Sequence, residues 1–417
     1  MNSSRRLFIA VLYGISLTLP LLVPSLANKL VVALAVAWVF TRPAVAKTIR
    51  SHNLLLVFVL LFALMAIGLA YTVNLTQGLS DMEDAIILLV LPLVLMSSET
   101  GVDVTLIRKI LGYFVAGVIV LNLSSLFLIS YDAWDPGRLQ SKIIEANEVI
   151  ARIHPAYTSL YISFCIFFIF DQHFPLPSQR RNKLGWIVFS LVVLFVYLFW
   201  INSRAGILAF IAAALFFVGY KWDKHYRLIG YFILFLFIGL LMAVPYTRFR
   251  FINAPKFALS ADIRSTQKDA NIFPIVNRMQ IYSCDMELVR WPSLLYGYGT
   301  GDARDVLQES FKANGFDRPL MERMDAHNEF FAQLHRHGIL GLGLFLALLI
   351  LPFRHALKYK SPLLGAFIVL FAVTALFENV FSVQKGITFF AFFCPLLWLF
   401  ARQAFARREE SAQSVTA

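Results

Sequence analysis

A chain of 417 residues that is 59% hydrophobic and only 15% charged is not a soluble multidomain protein, where about a quarter of residues would carry charge. Its mean hydropathy of +0.70 and its recurring apolar runs mark a polytopic membrane protein. The net charge of +12 therefore reflects topology and contact with anionic headgroups rather than nucleic acid. The scattered cysteines Cys165, Cys284 and Cys394 give neither a CxxC pair nor a disulfide framework.

Twelve apolar segments predict an all-α bundle of about twelve membrane helices, at 7–26, 29–41, 53–72, 83–98, 109–130, 155–171, 184–201, 205–220, 228–245, 336–353, 362–382 and 386–402. The second, fourth and eighth are short for a hydrocarbon core of about 30 Å. "MNSSRR" before the first run resembles a signal peptide start, but no clear small-x-small cleavage site follows, so it reads as a retained span. No internal repeat is evident.

Loop charge sets the orientation. With the N-terminus inside, the inner segments carry Arg5 and Arg6; Arg42, Lys47 and Arg50; Arg108 and Lys109; Arg180, Arg181 and Lys183; Lys221, Lys224 and Arg227; Arg354, Lys358 and Lys360; and Arg402, Arg407 and Arg408. Outer segments such as "TVNLTQGLSDMED" (72–84) are acidic. The alternation predicts both termini inside. It divides the chain into spans one to nine (1–245), a large outer helical loop (246–335), spans ten to twelve (336–402) and an inner tail (403–417). A connection as long as 246–335, with aromatics and apolar residues at helical spacing, predicts a folded cap.

Four polar clusters fall on the outer side. In "ARIHPAY" (151–157), Arg152 and His154 precede Pro155, which opens span six as an N1 proline does. "INSRAG" (201–206) joins spans seven and eight almost without a loop. Arg204 then sits at the membrane boundary, either as a phosphate ligand with a bidentate fork or as a cation snorkelling to headgroups. "NRMQIYSCDMELVRWPSLLYGYGTGD" (277–302) sets Arg278 and Arg290 on one expected helix. Its Gly297-x-Gly299-x-Gly301 permits a tight turn rather than a nucleotide fold.

The last cluster is "DAHNEFFAQLHRHGILGLG" (325–343). Metal ligands on one helix recur at i and i+4, but His335 and His337 fall roughly 80° to either side of His327 and do not converge on one ion. Asp325 and Asn328 are N-cap types, and Phe330, Phe331, Leu334 and Gly338 follow at helical spacing, so a helix begins here and continues as span ten. His327 at its start is either a general base beside an anion site or a histidine in a capping turn. His335 and His337 are expected at the membrane interface, and Gly338, Gly341 and Gly343 to let neighbouring helices approach.

"HNEFFAQLHRHGILG" carries His327-Asn328, nine residues, then Gly338-x-x-Gly341, and it resembles the O-antigen ligases and their polymerase relatives. The "SRAG" turn and the "R…W…GYGTG" stretch resemble them in the same order. The likeness covers most of the chain in layout and about 50 residues in motif. It implies a GT-C-type glycosyltransferase of the bacterial inner membrane with its site facing the periplasm. The enzyme would pass a glycan from undecaprenyl pyrophosphate to lipid A–core, with inversion and with no cofactor, metal or nucleotide. Arg204 and Arg278 would hold the pyrophosphate, with Arg152 as a looser third ligand. His327 would deprotonate or position the acceptor hydroxyl, supported by Asn328, His154 and Gly299. Polymerases and protein O-glycosylating relatives share these motifs. A transporter would instead carry paired ionisable groups at mid-membrane, where these spans carry almost none.

Overall fold

The computed structural model describes residues 3–21, 24–40, 45–97, 101–128, 142, 145–147, 150–174, 184–256 and 273–416. These residues are helical and include no strand. The first half holds α1 (Ser3–Thr18), α2 (Pro24–Val39), α3 (Val45–Ser51), α4 (Asn53–Gly68), α5 (Leu75–Met96), α6 (Val104–Leu128), α7 (Pro155–His173), α8 (Leu184–Ile201) and α9 (Arg204–Lys221). The second half holds α10 (Lys224–Ala243), α11 (Pro245–Arg248), α12 (Phe273–Leu288), α13 (Ser293–Tyr296), α14 (Ala303–Asn314), α15 (Asp317–Met321), α16 (Glu329–Lys358), α17 (Pro362–Ala375) and α18 (Gln384–Thr416).

Each expected apolar segment falls on a helix. Among the described residues seven helices are long and apolar enough to cross a membrane: α4 with its extension to Tyr71, α6, α8, α9, α10, α16 and α18. The protein is membrane-embedded. Of the expected inner cations, Arg42, Arg180, Arg181 and Lys183 lie outside the described residues, as does most of the 131–154 loop.

The bundle is built around α7. Its sequence, PAYTSLYISFCIFFIF, has no charged face, so it is stable only when surrounded. Residues Ala156 through Ile169 are all buried, and α7 packs on α6, α8, α9 and α17. Phe164 lies in an aromatic cluster with Phe114, Phe367 and Phe393, and Phe114 meets Phe393 edge-on at 4.6 Å between centroids. The peripheral α10 is the opposite case. It exposes Phe232, Phe235 and Leu240 by 60–69%, an apolar face suited to lipid.

Residues 273–328, expected to belong to the cap, form a compact unit whose place relative to a membrane is an expectation. α12, α14 and the turn after α15 close on a small core of their own, including Ile281, Cys284, Leu307, Phe311 and Phe316. α12 ends at Leu288, so Arg290 lies beyond it and does not share a helix with Arg278.

The charges of "DARD" fasten this cap to the bundle. The Asp302 carboxylate accepts hydrogen bonds from the backbone N–H of Val73 and of Asn74, each at 2.7 Å, and Asp305 accepts from the Asn74 amide at 2.7 Å. Thr300 Oγ1 donates to the Met65 carbonyl at 2.6 Å. Hydrogen bonds to a charged acceptor contribute about 1.5–3 kcal/mol each, less where water can replace them. Asp302→Ala should therefore loosen the cap by about 2 kcal/mol. Amide exchange at Val73 and Asn74 should speed up; unchanged exchange would show that the carboxylate does not hold the cap.

The glycines of 338–343 differ from expectation. α16 is broken at His337 and Gly338, where Gly338 has φ +62°. The break accepts the "GYGTG" strip: Tyr298 N–H donates to the His335 carbonyl at 2.7 Å, and Gly299 N–H to the Arg336 carbonyl at 3.0 Å. A Cβ on Gly338 would overlap the Leu295 backbone, one on Gly341 would press on its own helix break, and one on Gly343 would meet nothing. The stripe therefore serves cap docking at Gly338 rather than helix–helix approach. Gly338→Ala combines a left-handed backbone with a clash and should destabilise by about 2 kcal/mol or more, whereas Gly343→Ala should be neutral or slightly stabilising. Thermal unfolding in detergent separates the two; equal midpoints would refute the docking role of Gly338.

Candidate functional site

His327 stands at the entry of α16, as its sequence context predicts. Asn328 is the N-cap, its Oδ1 accepting from Phe330 N–H at 2.9 Å and Phe331 N–H at 3.3 Å. Its own N–H donates to Asn379 Oδ1 at 2.7 Å, and His327 N–H donates to Asp325 Oδ1 at 3.1 Å. These bonds hold His327 at φ +44°, a left-handed conformation that a bulky residue adopts only when its surroundings impose it.

The ring's Nδ1 lies 3.7 Å from Glu378 Oε2 and 3.8 Å from Asp325 Oδ1. These are ion-pair distances, too long for hydrogen bonds. Nε2 has no hydrogen-bond partner among the described residues. Burial works against a charged ring, but Glu378 and Asp325 outweigh it, and the His327 pKa is raised. Glu378 is the reciprocal case. Burial pushes its pKa up, yet His327, His154 and Arg278 hold it below the ordinary carboxylate value.

Arg278, on α12, reaches the same carboxylate. Its Nη2 donates to Glu378 Oε1 at 3.1 Å and its Nη1 to the Phe377 carbonyl at 2.8 Å. A cap helix is thereby tied to the 376–383 turn between α17 and α18, and Glu378 bridges Arg278 and His327.

Arg204 opens α9. Asn202 turns the chain at φ +45°, and Ser203 caps the helix by accepting from Gly206 N–H at 3.3 Å. The Arg204 guanidinium is half-buried and has no hydrogen bond or ion pair among the described residues. It feels the like charges of Arg250 and Arg278. Arg250 donates from Nη1 to the Asn202 carbonyl at 3.0 Å, which binds it to the same turn. Among the described residues, these three guanidiniums lie within electrostatic reach of one another, and one of them, Arg278, pairs with a carboxylate, Glu378. A cation at the start of α9 also opposes that helix's dipole. An anion entering here would relieve both penalties.

The remaining expected residues divide. His154 caps α7, its Nδ1 accepting from Ala156 N–H at 3.4 Å, and it is among the groups that hold the Glu378 pKa down, so it lies near the cluster. Arg152 is exposed at φ +47°, and no contact among the described residues ties it to the others. Gly299, at φ +103°, acts through docking at the α16 break. His335 and His337, expected at the membrane interface, are buried inside the protein. His335 Nε2 lies 2.9 Å from Asp285 Oδ1, and burial lifts Asp285 to about 6 despite that partner. No group of three His, Cys, Asp or Glu side chains among the described residues could hold a metal ion.

Sequence reading missed Glu378 and Arg250. Glu378 was visible as a lone acid in the apolar run "FAVTALFENVFS", and an ionisable group there is a functional candidate by default. Arg250 follows span nine within two residues of another arginine, Arg248, and nothing in "YTRFRF" separates them.

The described residues thus place an arginine cluster beside a carboxylate-backed histidine in a helical membrane protein. Residues 189–346 match the family model described as O-antigen ligase, a match that supports kinship of this part of the chain with that family. The match contains Arg204, Arg250, Arg278, Gly299, His327 and Asn328; Arg152, His154 and Glu378 lie outside it. No curated protein matches the chain. The matched domain supports a function of O-antigen ligase or polymerase type.

Proposed function

We propose that the chain is an O-antigen ligase, joining a glycan from undecaprenyl pyrophosphate to a sugar hydroxyl of lipid A–core at the periplasmic face of the bacterial inner membrane. The observation that supports this most is the half-buried Arg204–Arg250–Arg278 group beside His327. The acceptor hydroxyl oxygen attacks the anomeric carbon while the bond from that carbon to the pyrophosphate oxygen breaks. The hydroxyl proton passes to His327 Nε2, and the electron pair leaves with undecaprenyl pyrophosphate. Arg204 and the unspent donors of Arg278 neutralise the departing charge, with Arg250 adding to the field and Arg152 a looser ligand. Attack opposite the leaving group inverts the anomeric centre. The pyrophosphate linkage carries the driving force, so the transfer needs no metal, cofactor or nucleotide.

In this reading, all twelve apolar helices span the membrane, both termini are cytoplasmic, and the division at 245, 335 and 402 separates membrane from periplasmic cap and tail. The lipopolysaccharide profile after gene loss tests the ligase assignment. Core lacking all O-antigen is the expected result. Core carrying a single repeat would assign polymerase instead.

A further inference from the structure

We propose a second anion site, for the phosphate diesters of an anionic phospholipid, at the opposite end of the bundle. α9 begins with Arg204 and ends with Lys221, so at 1.5 Å per residue the two lie roughly 25 Å apart, close to a bilayer core. At that far end a cavity of about 900 Å³ opens between α6, α9, α18 and the turn that enters α17. Arg108, Lys221, Lys360, Arg407 and Arg408 line it, against the single carboxylate of Asp171.

That carboxylate is already engaged. Its Oδ1 lies 3.3 Å from Lys221 Nζ and its Oδ2 accepts from Gln172 Nε2 at 2.7 Å. Asp171 and Lys221 therefore cancel, and among the lining residues Asp171 is the one carboxylate, beside which Lys360, Arg407 and Arg408 also stand. A bias of cations toward one membrane face scatters them over loops. Here they converge from three helices and a turn on one hollow. The hollow is also far larger than a lone phosphate needs, and Val104, Pro362 and Phe400 give it apolar wall. Cations over apolar wall match a phosphodiester headgroup above its glycerol and acyl chains.

The test uses the full chain in nanodiscs of zwitterionic phosphatidylcholine doped with cardiolipin, with retained lipid counted by native mass spectrometry. Near a membrane surface each cation contributes about fivefold to attraction for anionic lipid. Arg108→Gln/Arg407→Gln/Arg408→Gln should therefore weaken retention on the order of a hundredfold. The matched triple Lys47→Gln/Lys109→Gln/Lys224→Gln, outside the cavity, should lose only loosely held surface lipid and keep the tightly retained cardiolipin, and the conservative pair Arg407→Lys/Arg408→Lys should retain it like wild type. Loss that is equal in the two triples, or absent from both, would overturn the site. A second arm adds inorganic phosphate and pyrophosphate at millimolar concentration. Failure to displace cardiolipin supports the lipid assignment; full displacement would assign the cavity to soluble phosphoanions instead.

Discussion

His327→Ala should lower kcat for glycan transfer by about 10²–10⁴-fold while leaving KM for the lipid-linked donor close to wild type. The ring is held at its place by backbone strain and two flanking hydrogen bonds, with Nδ1 turned to carboxylates and Nε2 left to take a proton. The loss should therefore fall on the chemical step and not on donor binding. A pH profile distinguishes a base from a spacer. The neutral ring is the working form, so activity should rise with pH through the His327 pKa, which the carboxylates raise above its ordinary value. Glu378→Gln removes one of those carboxylates and should shift the acidic limb to lower pH. A limb that stays in place, or moves upward, would deny Glu378 this role. Donor KM rising in His327→Ala with kcat intact would make the residue a binding group only.

Arg204→Ala should reduce kcat/KM by about 10²–10³-fold, the range seen when one group stabilising a developing charge is removed. Among the described residues Arg204 has no hydrogen bond or ion pair, whereas Arg278 already gives two donors to Glu378 and Phe377. Truncating Arg278 should also disturb Glu378 and so His327, lowering activity and shifting the pH limb together. Arg204→Ala should lower activity without that shift. Arg204→Lys should restore only part of the loss, because an ammonium lacks the planar fork that grips two phosphate oxygens. Steady-state kinetics against pH on the three variants checks the division. Full activity in Arg204→Ala would remove the pyrophosphate reading from this turn.

The helices were legible because apolar runs in lipid can only be helical or barrel-like; seven of them among the described residues are long and apolar enough to cross a membrane. The short joint at 201–206 and a helix start near Asp325–Asn328 were equally legible, the second because both residues are N-cap types. What spacing could not convey was tertiary. The Gly338 motif reads as helix packing until the "GYGTG" strip is seen to dock at the break in α16. Asp302 and Asp305 read as surface charge until they meet the 73–74 backbone. Glu378 lies 51 residues from His327 in sequence and 3.7 Å from it in space, a pairing no local pattern encodes. Arg152 is the converse, a residue that motif order suggested and that the fold leaves exposed and apart.

The central claim is that this cluster transfers a lipid-linked glycan to a core hydroxyl without help from a metal or nucleotide. Its most direct test is transfer by the purified protein in EDTA, from undecaprenyl-pyrophosphate glycan to lipid A–core, with the anomeric configuration of the new linkage read by NMR. The account predicts glycan on the core, inverted at the anomeric carbon. Retention of configuration, growth of the lipid-linked glycan in place of core ligation, or no turnover with any glycan donor would contradict it.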